Sequence, residues 1–224
     1  MAKTLNVAFA SVMFLLTSAV VRADVVLNVT SYSMYNGGRG GFIYQDTGYL
    51  PCVANDCTTT GAFLSGGTGQ LTNGNDPSSN WDAGQGPSGD YWIGWDTAET
   101  NGTDPVVTFN FGAFDTIHSI TVWFDNTLGG GDVGAPGEIL VDGTPYVPPQ
   151  DTSGPQGYTI SGLDIAGSSV DVQFDQGADP WIMIGQVTFN GTVGVTAVPE
   201  PSPVLLLSVL TGFILLIRKR ASSI

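Results

Sequence analysis

Two stretches of the chain, SITVWFD at residues 119–125 and SVDVQFD at residues 169–175, alternate apolar and polar side chains. The apolar residues at every second position are Ile120, Val122 and Phe124 in the first stretch and Val170, Val172 and Phe174 in the second. Successive side chains of a β-strand point to opposite faces, so this period of two predicts strands with one face in a core. Both stretches therefore favour an all-β protein.

The rest of the body supports the same fold class. Glycine accounts for 31 of 224 residues, and almost no segment shows the 3.6-residue apolar rhythm of a helix. Strands are predicted at residues 25–29, 41–44, 91–95, 106–111, 117–124, 138–141, 158–160, 169–174 and 181–189. Turn dipeptides such as Asn73-Gly74 and Asp142-Gly143 separate them, because glycine allows a positive φ. The spacing predicts an antiparallel, jelly-roll-like β-sandwich over residues 24–190, followed by a linker at residues 191–197.

The charge of the body limits the class of partner. The chain has 20 Asp and Glu against six Lys and Arg, a formal net charge of −14 at pH 7. Between residues 24 and 197 the only basic side chain is Arg39, whereas all the acids except Glu200 lie there. An acidic field repels phosphate backbones and anionic lipid, so we expect no nucleic-acid partner and no binding to a lipid surface. Acidic oxygens do suit Ca²⁺ and an exported, well-solvated surface.

The first 23 residues have the parts of a secretory signal peptide. Lys3 forms a short basic region, residues 5–21 are mostly apolar, and Val21-Arg22-Ala23 has short side chains where a signal peptidase inspects them. We expect cleavage by signal peptidase after Ala23, with a cut after Ala19 as the next choice. An uncleaved N-terminal helix is the alternative. The signal predicts that the following domain is exported.

Residues 198–224 combine a motif, an apolar segment and a basic cluster, namely Pro199-Glu200-Pro201, residues 204–217 and Arg218-Lys219-Arg220. The apolar segment is shorter than the roughly 20 residues of an unassisted spanning helix, and the cluster favours the cytoplasmic side. The order and position of these parts resemble the PEP-CTERM sorting signal of Gram-negative bacteria that make extracellular polysaccharide. The resemblance implies a short transmembrane helix, transient anchoring in the inner membrane and processing by an exosortase. An ordinary C-terminal anchor is the alternative.

Cys52 and Cys57 are the two cysteines of the chain. The signal peptide directs them to an oxidising compartment, so we expect a local disulfide that fixes one loop. Two thiols without a nearby histidine make a poor zinc site, because structural zinc normally takes four Cys or His ligands.

Five segments, taken in order, resemble the galactose-binding-like jelly rolls of discoidin domains and carbohydrate-binding modules. They are LSGGTGQLTNG (64–74), YWIGWDT (91–97), PVVTFNFG (105–112), IHSITVWFDN (117–126) and WIMIGQVTFNG (181–191). In that family an acidic residue in a Leu-Thr-Asp-Gly-like turn and a carboxylate on the last strand often lie near a structural calcium. Asn73 and Gln186 replace both carboxylates with amides here. The resemblance leaves room for one structural Ca²⁺, with Asn73 and Asp76 as its ligands.

The sequence offers little for catalysis. His118 is the single histidine, and it lies on a predicted strand between Ile117 and Ser119. A proton shuttle of the Ser-His type needs a free histidine, and a structural or surface role suits this position better. Sequence motifs of hydrolases, zinc proteases and phosphate-binding loops are missing.

Aromatic and acidic residues alternate between residues 80 and 96. Sugar rings have an apolar C–H face and a rim of hydroxyls, so their sites combine an aromatic platform with hydrogen-bonding acids and amides. We therefore predict Trp81 or Trp92 as a ligand platform, with Asp82 and Asp90 as polar partners. Alternation in YWIGW places Trp92 on one strand face and Trp95 on the other. Packing in the sandwich core is the alternative role for these rings.

Together these features predict an exported, non-catalytic protein of the cell envelope or extracellular matrix. It would be sorted by an exosortase and contact carbohydrate such as exopolysaccharide. Two alternatives stay open. One is a purely structural matrix protein without a discrete site. The other is a glycan-active enzyme, because some pair among so many acids meets the separation of about 5–10 Å that glycosidases use.

Overall fold

The computed structural model describes residues 23–39, 41–83, 92–96, 104–127, 132–150 and 154–194. The predicted signal segment before Ala23 and the predicted sorting signal at residues 198–224 lie outside these ranges. Among the described residues, no helix has the length and apolar character needed to cross a membrane.

The described residues form ten strands and two single-turn 3-10 helices, the latter at Asp56–Thr58 and Gln70–Thr72. The strands are β1 (Val25–Val26), β2 (Val29–Tyr35), β3 (Phe63–Gly67), β4 (Ile93–Asp96), β5 (Val106–Phe124), β6 (Val133–Gly134), β7 (Glu138–Val141), β8 (Thr144–Tyr146), β9 (Gln156–Asp175) and β10 (Trp181–Thr192). The predicted all-β fold class is confirmed.

Two of these strands are longer than the sequence predicts. The strands predicted at residues 106–111 and 117–124 are both parts of β5, and those predicted at 158–160 and 169–174 are both parts of β9. Pairing between β5 and β9 shifts register between Asn110 and Asp115 and then continues. Such an irregularity bends a strand without ending it. The strand predicted at 41–44 does not form, since Phe42 makes only an isolated bridge to Arg39.

The bends divide the sheet into the two layers of a β-sandwich. In the first layer β2 pairs with the first half of β5, β3 pairs with β2, and β7 pairs with the second half of β9. In the second layer β10 pairs with the second half of β5, and β1 and β4 pair with β10. All these pairs are antiparallel, whereas the two-residue β6 pairs with β10 in parallel. β5 and β9 therefore belong to both layers.

The main core lies between the layers. Phe109 of the first layer packs on Phe189 of β10, with ring centroids 4.9 Å apart. Trp95 of β4 stacks on Phe174 of β9 at 6.1 Å. The apolar faces of SITVWFD and SVDVQFD are fully or almost fully buried in this core, as their alternation predicts. Burial of each such side chain contributes about 1.5–3 kcal/mol to folding.

The two ends of the sandwich are defined by the two ends of β10. Val25 pairs with Gly191 at one end of β10, which we call the terminus end. Trp181 pairs with Asp96 at the other end of β10, which we call the loop end. At about 3.3 Å per residue the two ends of β10 are roughly 35 Å apart. β10 continues through Thr192, so the linker predicted to begin at residue 191 starts inside this strand.

Candidate functional site

A second, smaller hydrophobic cluster lies at the loop end, apart from the main core. We use the name aromatic patch for four rings there: Phe42, Tyr44, Trp81 and Trp181. The Tyr44 ring centroid is 5.0 Å from that of Trp181, 6.1 Å from that of Trp81 and 6.4 Å from that of Phe42. Because Trp181 begins β10 and Tyr44 lies in the loop after β2, the patch fastens this loop to the second layer.

Phe42 is the exposed ring of the patch, at 59% of its full surface, whereas Tyr44 and Trp181 beneath it are buried. Arg39 lies next to it, since the backbone N–H of each residue donates to the carbonyl of the other, at 3.1 and 2.8 Å. The Arg39 guanidinium is ion-paired with the buried Asp96 and stays 44% exposed. An exposed apolar ring and an ion-paired cation are therefore carried by two residues whose backbones are bonded to each other.

The position of Trp81 is fixed by a hydrogen bond from its backbone to Asp125. Its N–H donates to Asp125 Oδ2 at 2.5 Å, and Asp125 also accepts a hydrogen bond from the hydroxyl of Thr127. Burial raises the pKa of Asp125, although these hydrogen bonds oppose the shift. The indole Nε1 of Trp81 is buried and has no hydrogen-bond partner among the residues that the structure describes. Trp81 thus supports the patch from one side as a packed, half-buried ring.

The structure brings two of the four predicted sugar-contacting residues to this surface. Trp81 is part of the patch, and the exposed Asp82 is close enough to Tyr44 for its charge to raise the Tyr44 pKa, in addition to the larger effect of burial. Trp92 is buried under the patch and donates its indole N–H to the Ser79 carbonyl at 3.1 Å. It presents no ring face to a ligand, contrary to the predicted platform. Asp90 lies outside the described residues.

Sequence reasoning missed Phe42, Tyr44 and Arg39. Its prediction of a strand at residues 41–44 assigned the two rings to a sheet. The one available signal was the lone basic residue of the body, Arg39, placed beside aromatic residues in a glycine-rich segment. A loop of that composition favours exposed, functional side chains over core positions.

The buried side chain of Asn36 fixes the loop that bears Phe42. Its Oδ1 accepts the N–H groups of Gly37 and Asp46, at 3.0 and 2.8 Å, so both ends of the loop close on one amide. Its Nδ2 donates to the carbonyl of Asp56 at 3.0 Å, which joins the loop to the segment around Cys57. The local disulfide predicted between Cys52 and Cys57 is present, with Cα atoms 5.6 Å apart.

Of the residues considered for a calcium site, Asn73 and Gln186 are hydrogen-bonded to groups of the turn at residues 70–75, whereas Asp76 is exposed. Asn73 Nδ2 donates to Gln70 Oε1 at 2.6 Å, and Asn73 Oδ1 accepts the N–H of Asn75 at 2.8 Å. Gln186 Oε1 accepts the N–H of Gly74 at 3.3 Å. No group of three or more acidic, histidine or cysteine side chains suited to a metal occurs in the described part of the chain. The structural Ca²⁺ at Asn73 and Asp76 stays a prediction, and these two residues would supply only part of the six to eight oxygen ligands that the ion requires.

His118 lies on β5 beside Asp24, with Nδ1 at 2.6 Å from Asp24 Oδ1. Both side chains are substantially exposed. Asp24 adjoins β1 at the terminus end, so this pair is remote from the aromatic patch along the sandwich. The contact has the geometry of a surface pair that holds the N-terminal segment against β5.

Comparison with known proteins gives structural neighbours only. No protein-family model matches the chain, residues 198–224 included, and no curated protein matches it as a relative. Carbohydrate-binding modules and a lectin are among the solved structures that resemble it.

One is the family 32 carbohydrate-binding module of C. perfringens NanJ in complex with galactose, at 9% identity and a TM-score of 0.42, over 75% of this chain and 99% of that one. A second is the family 32 module of AlyQ in complex with 4,5-unsaturated mannuronic acid. It has 8% sequence identity and a TM-score of 0.39, and the match covers 74% of this chain and 97% of that one. A third is a fucolectin from striped bass (Morone saxatilis) serum. It has 14% sequence identity and a TM-score of 0.37, and the match covers 75% of this chain and 79% of that one. Two of these are modules of the kind that the sequence resemblance names. At these scores the likeness carries no ligand to this chain, and the sandwich assignment rests on the strand pairing above.

Proposed function

We propose that this chain is an exported, non-catalytic protein of the cell envelope or extracellular matrix that contacts carbohydrate through the aromatic patch at its loop end. The observation that carries the proposal is the Phe42 ring, which is 59% exposed and packs on Tyr44 and Trp181, while its backbone is hydrogen-bonded to that of Arg39. A ring face of this kind accepts the C–H face of a sugar, and the adjoining Arg39 and Asp82 supply a donor and an acceptor for hydroxyls.

Export and sorting form the second part of the proposal. The N-terminal segment ending at Ala23 is read as a cleaved signal, and Pro199-Glu200-Pro201 with its apolar segment and basic cluster as an exosortase signal. The disulfide between Cys52 and Cys57 is in keeping with an oxidising compartment. The position of the aromatic patch also suits a protein held at its C-terminus, because the described chain ends at the terminus end, roughly 35 Å from the loop end.

Binding is tested with the full chain against polysaccharide isolated from the producing cells and against a glycan array. We expect binding by the wild type and a loss of roughly tenfold or more in affinity for Phe42→Ala, since the ring supplies most of the exposed apolar contact. Val26→Ala is the matched control, because Val26 is 68% exposed but lies at the terminus end. Absence of binding by the wild type would leave a structural matrix role, and turnover of the polysaccharide would indicate an enzyme.

Processing is tested by the intact mass of the protein recovered from the surface of cells. The proposal expects a mass that begins at Asp24 and ends near Pro199-Glu200-Pro201, with or without an attached group. Replacing Pro199, Glu200 and Pro201 with alanine should keep the C-terminal segment on the chain. A surface protein that still ends at Ile224 in the wild type contradicts the sorting proposal and leaves the carbohydrate proposal untouched.

A further inference from the structure

A separate cleft of about 700 Å³ is lined by residues from β2 and the loop after it, from the start of β3, from β4 and from the start of β5. This volume falls within the range of roughly 300–1,000 Å³ that is usual for small-ligand clefts. Two exposed aromatic residues line it, Tyr35 at the end of β2 and Phe63 at the start of β3, and they pair directly across these strands. Their neighbours Met34 and Leu64 are buried in the core, so both rings point away from it.

The two rings form an exposed aromatic pair. Tyr35 is 64% exposed and Phe63 is 55% exposed, with centroids 5.2 Å apart and planes inclined at 59°. The buried Trp95 also lines the cleft, and its indole N–H donates to the Tyr35 carbonyl at 2.8 Å. This hydrogen bond fixes the backbone that carries the exposed ring. The rings are thus held by the scaffold without being used in its core.

Polar groups with unused hydrogen-bonding capacity face the same space. The Thr60 hydroxyl accepts from Gln45 Nε2 at 2.8 Å, which leaves its proton to donate. Asp104 Oδ1 accepts the N–H of Gln176 at 2.8 Å, and a carboxylate has sites for about three more donors. The Ser33 hydroxyl lines the cleft without a hydrogen bond to any described residue. Donors and acceptors therefore surround the aromatic pair.

We infer that this cleft is a second glycan-binding site, distinct from the aromatic patch, and that its ligand is a neutral oligosaccharide. The inference takes only the class of ligand from the proposed function. Two inclined rings suit the C–H faces of a pyranose, while hydroxyls and a carboxylate suit its rim of hydroxyl groups. Asp104 repels an acidic sugar, and the body's only basic side chain, Arg39, is already ion-paired with Asp96. A neutral oligosaccharide is not repelled by Asp104 and needs no basic side chain.

The test uses the full chain in calorimetric titrations with neutral hexaoses derived from cellulose, galactan and mannan, and with a hexauronate of equal length. We expect at least one neutral hexaose to bind and the hexauronate to bind more weakly. Tyr35→Ala and Phe63→Ala should each weaken neutral binding by roughly tenfold or more, whereas Tyr35→Phe, which keeps the ring, should stay within about twofold of wild type. Both rings are exposed, so these variants should keep the wild-type melting temperature.

Asp104→Asn separates the charge from the hydrogen bond. An amide oxygen can still accept the N–H of Gln176, so the fold should persist, and the variant should narrow the preference for neutral over acidic hexaoses. Wild-type affinity in Tyr35→Ala and Phe63→Ala, or failure of every neutral hexaose to bind, overturns the inference. Loss of binding in Phe42→Ala alone would contradict glycan binding in the cleft and support binding at the aromatic patch. Loss of binding in Tyr35→Ala alone would support binding in the cleft and contradict binding at the aromatic patch.

Discussion

The side chain of Gln186 on β10 accepts the backbone N–H of Gly74 at 3.3 Å, and so connects the turn after the 3-10 helix Gln70–Thr72 with the last strand of the sandwich. The turn is closed further by Asn73, whose amide bonds both Gln70 and Asn75. Where the sequence resemblance would place carboxylates around an ion, this chain has neutral amides that are hydrogen-bonded to the turn itself. We therefore expect the turn to be stable without a metal.

The first prediction concerns this connection. Gln186→Met keeps the length of the buried side chain but removes the acceptor for the Gly74 N–H, so the free energy of unfolding should fall by about 1 kcal/mol. Urea denaturation of the two proteins measures the difference.

A second experiment concerns the metal. Adding a calcium chelator or millimolar Ca²⁺ should leave the wild-type melting temperature unchanged. A marked rise of that temperature with Ca²⁺ would show that an ion does bind and that the amide set is not its replacement.

The sequence predicted the elements of this fold whose signal is local. The period of two in SITVWFD and SVDVQFD marks the core faces of β5 and β9, and alternation in YWIGW correctly separates Trp92 from Trp95. It could not show that both faces of β4 are buried, one against the main core and the other under the aromatic patch. That depends on the loop bearing Tyr44, whose contact with Trp181 joins residues far apart in the chain.

The unpredicted parts of the site share the same cause. Phe42 and Arg39 are brought together by backbone hydrogen bonds of a loop that Asn36 closes, and no periodicity reports such a closure. Likewise, β5 reads as two strands because Gly112 and Ala113 interrupt the alternation, yet its ladder with β9 resumes beyond them. Long-range pairing therefore decides whether a gap in the pattern is a bend or an end.

The second prediction concerns the close contact of β10 with β5 at the terminus end. A Cβ atom on Gly191 would overlap the carbonyl group of Thr116, a backbone atom that cannot move without breaking the ladder. Gly191→Ala should therefore lower the free energy of unfolding by roughly 1–3 kcal/mol or more. Gly41→Ala is the matched control, because a Cβ there meets nothing within 4 Å. Equal stability of the two variants would mean that β10 does not approach β5 so closely.

The third prediction concerns the disulfide. Cys52 and Cys57 enclose a short loop, for which the loss of unfolded-chain entropy stabilises the fold by about 2 kcal/mol. Cys52→Ser with Cys57→Ser should lower stability by that amount and leave the β-sheet circular dichroism signal intact. Asn36 also donates a hydrogen bond to the Asp56 carbonyl inside this loop, so the loop should keep its folded conformation in the reduced protein at low temperature. Loss of the whole fold on reduction would show that the bond is required for folding and does more than fix a loop.

The last prediction concerns pH and the buried Asp46. Its carboxylate accepts hydrogen bonds from the Tyr32 hydroxyl and from the N–H of Gln70 at 3.1 Å, and burial outweighs these bonds and raises its pKa. A carboxyl whose pKa is higher in the folded than in the unfolded state binds more protons when folded between the two values. Its contribution to stability is therefore greatest in acid, and is lost as pH rises from about 4 through the raised pKa.

Asp46→Asn removes this titration while keeping an oxygen that can accept the Gln70 N–H. The difference in unfolding free energy between wild type and variant, measured in urea at intervals from about pH 4 to pH 8, should shift in favour of the variant as pH rises. Asp164→Asn, an exposed carboxylate on β9, is the control for the general loss of one negative charge. A difference that stays constant with pH in Asp46→Asn, or an equal slope in Asp164→Asn, would mean that burial of Asp46 does not control its protonation.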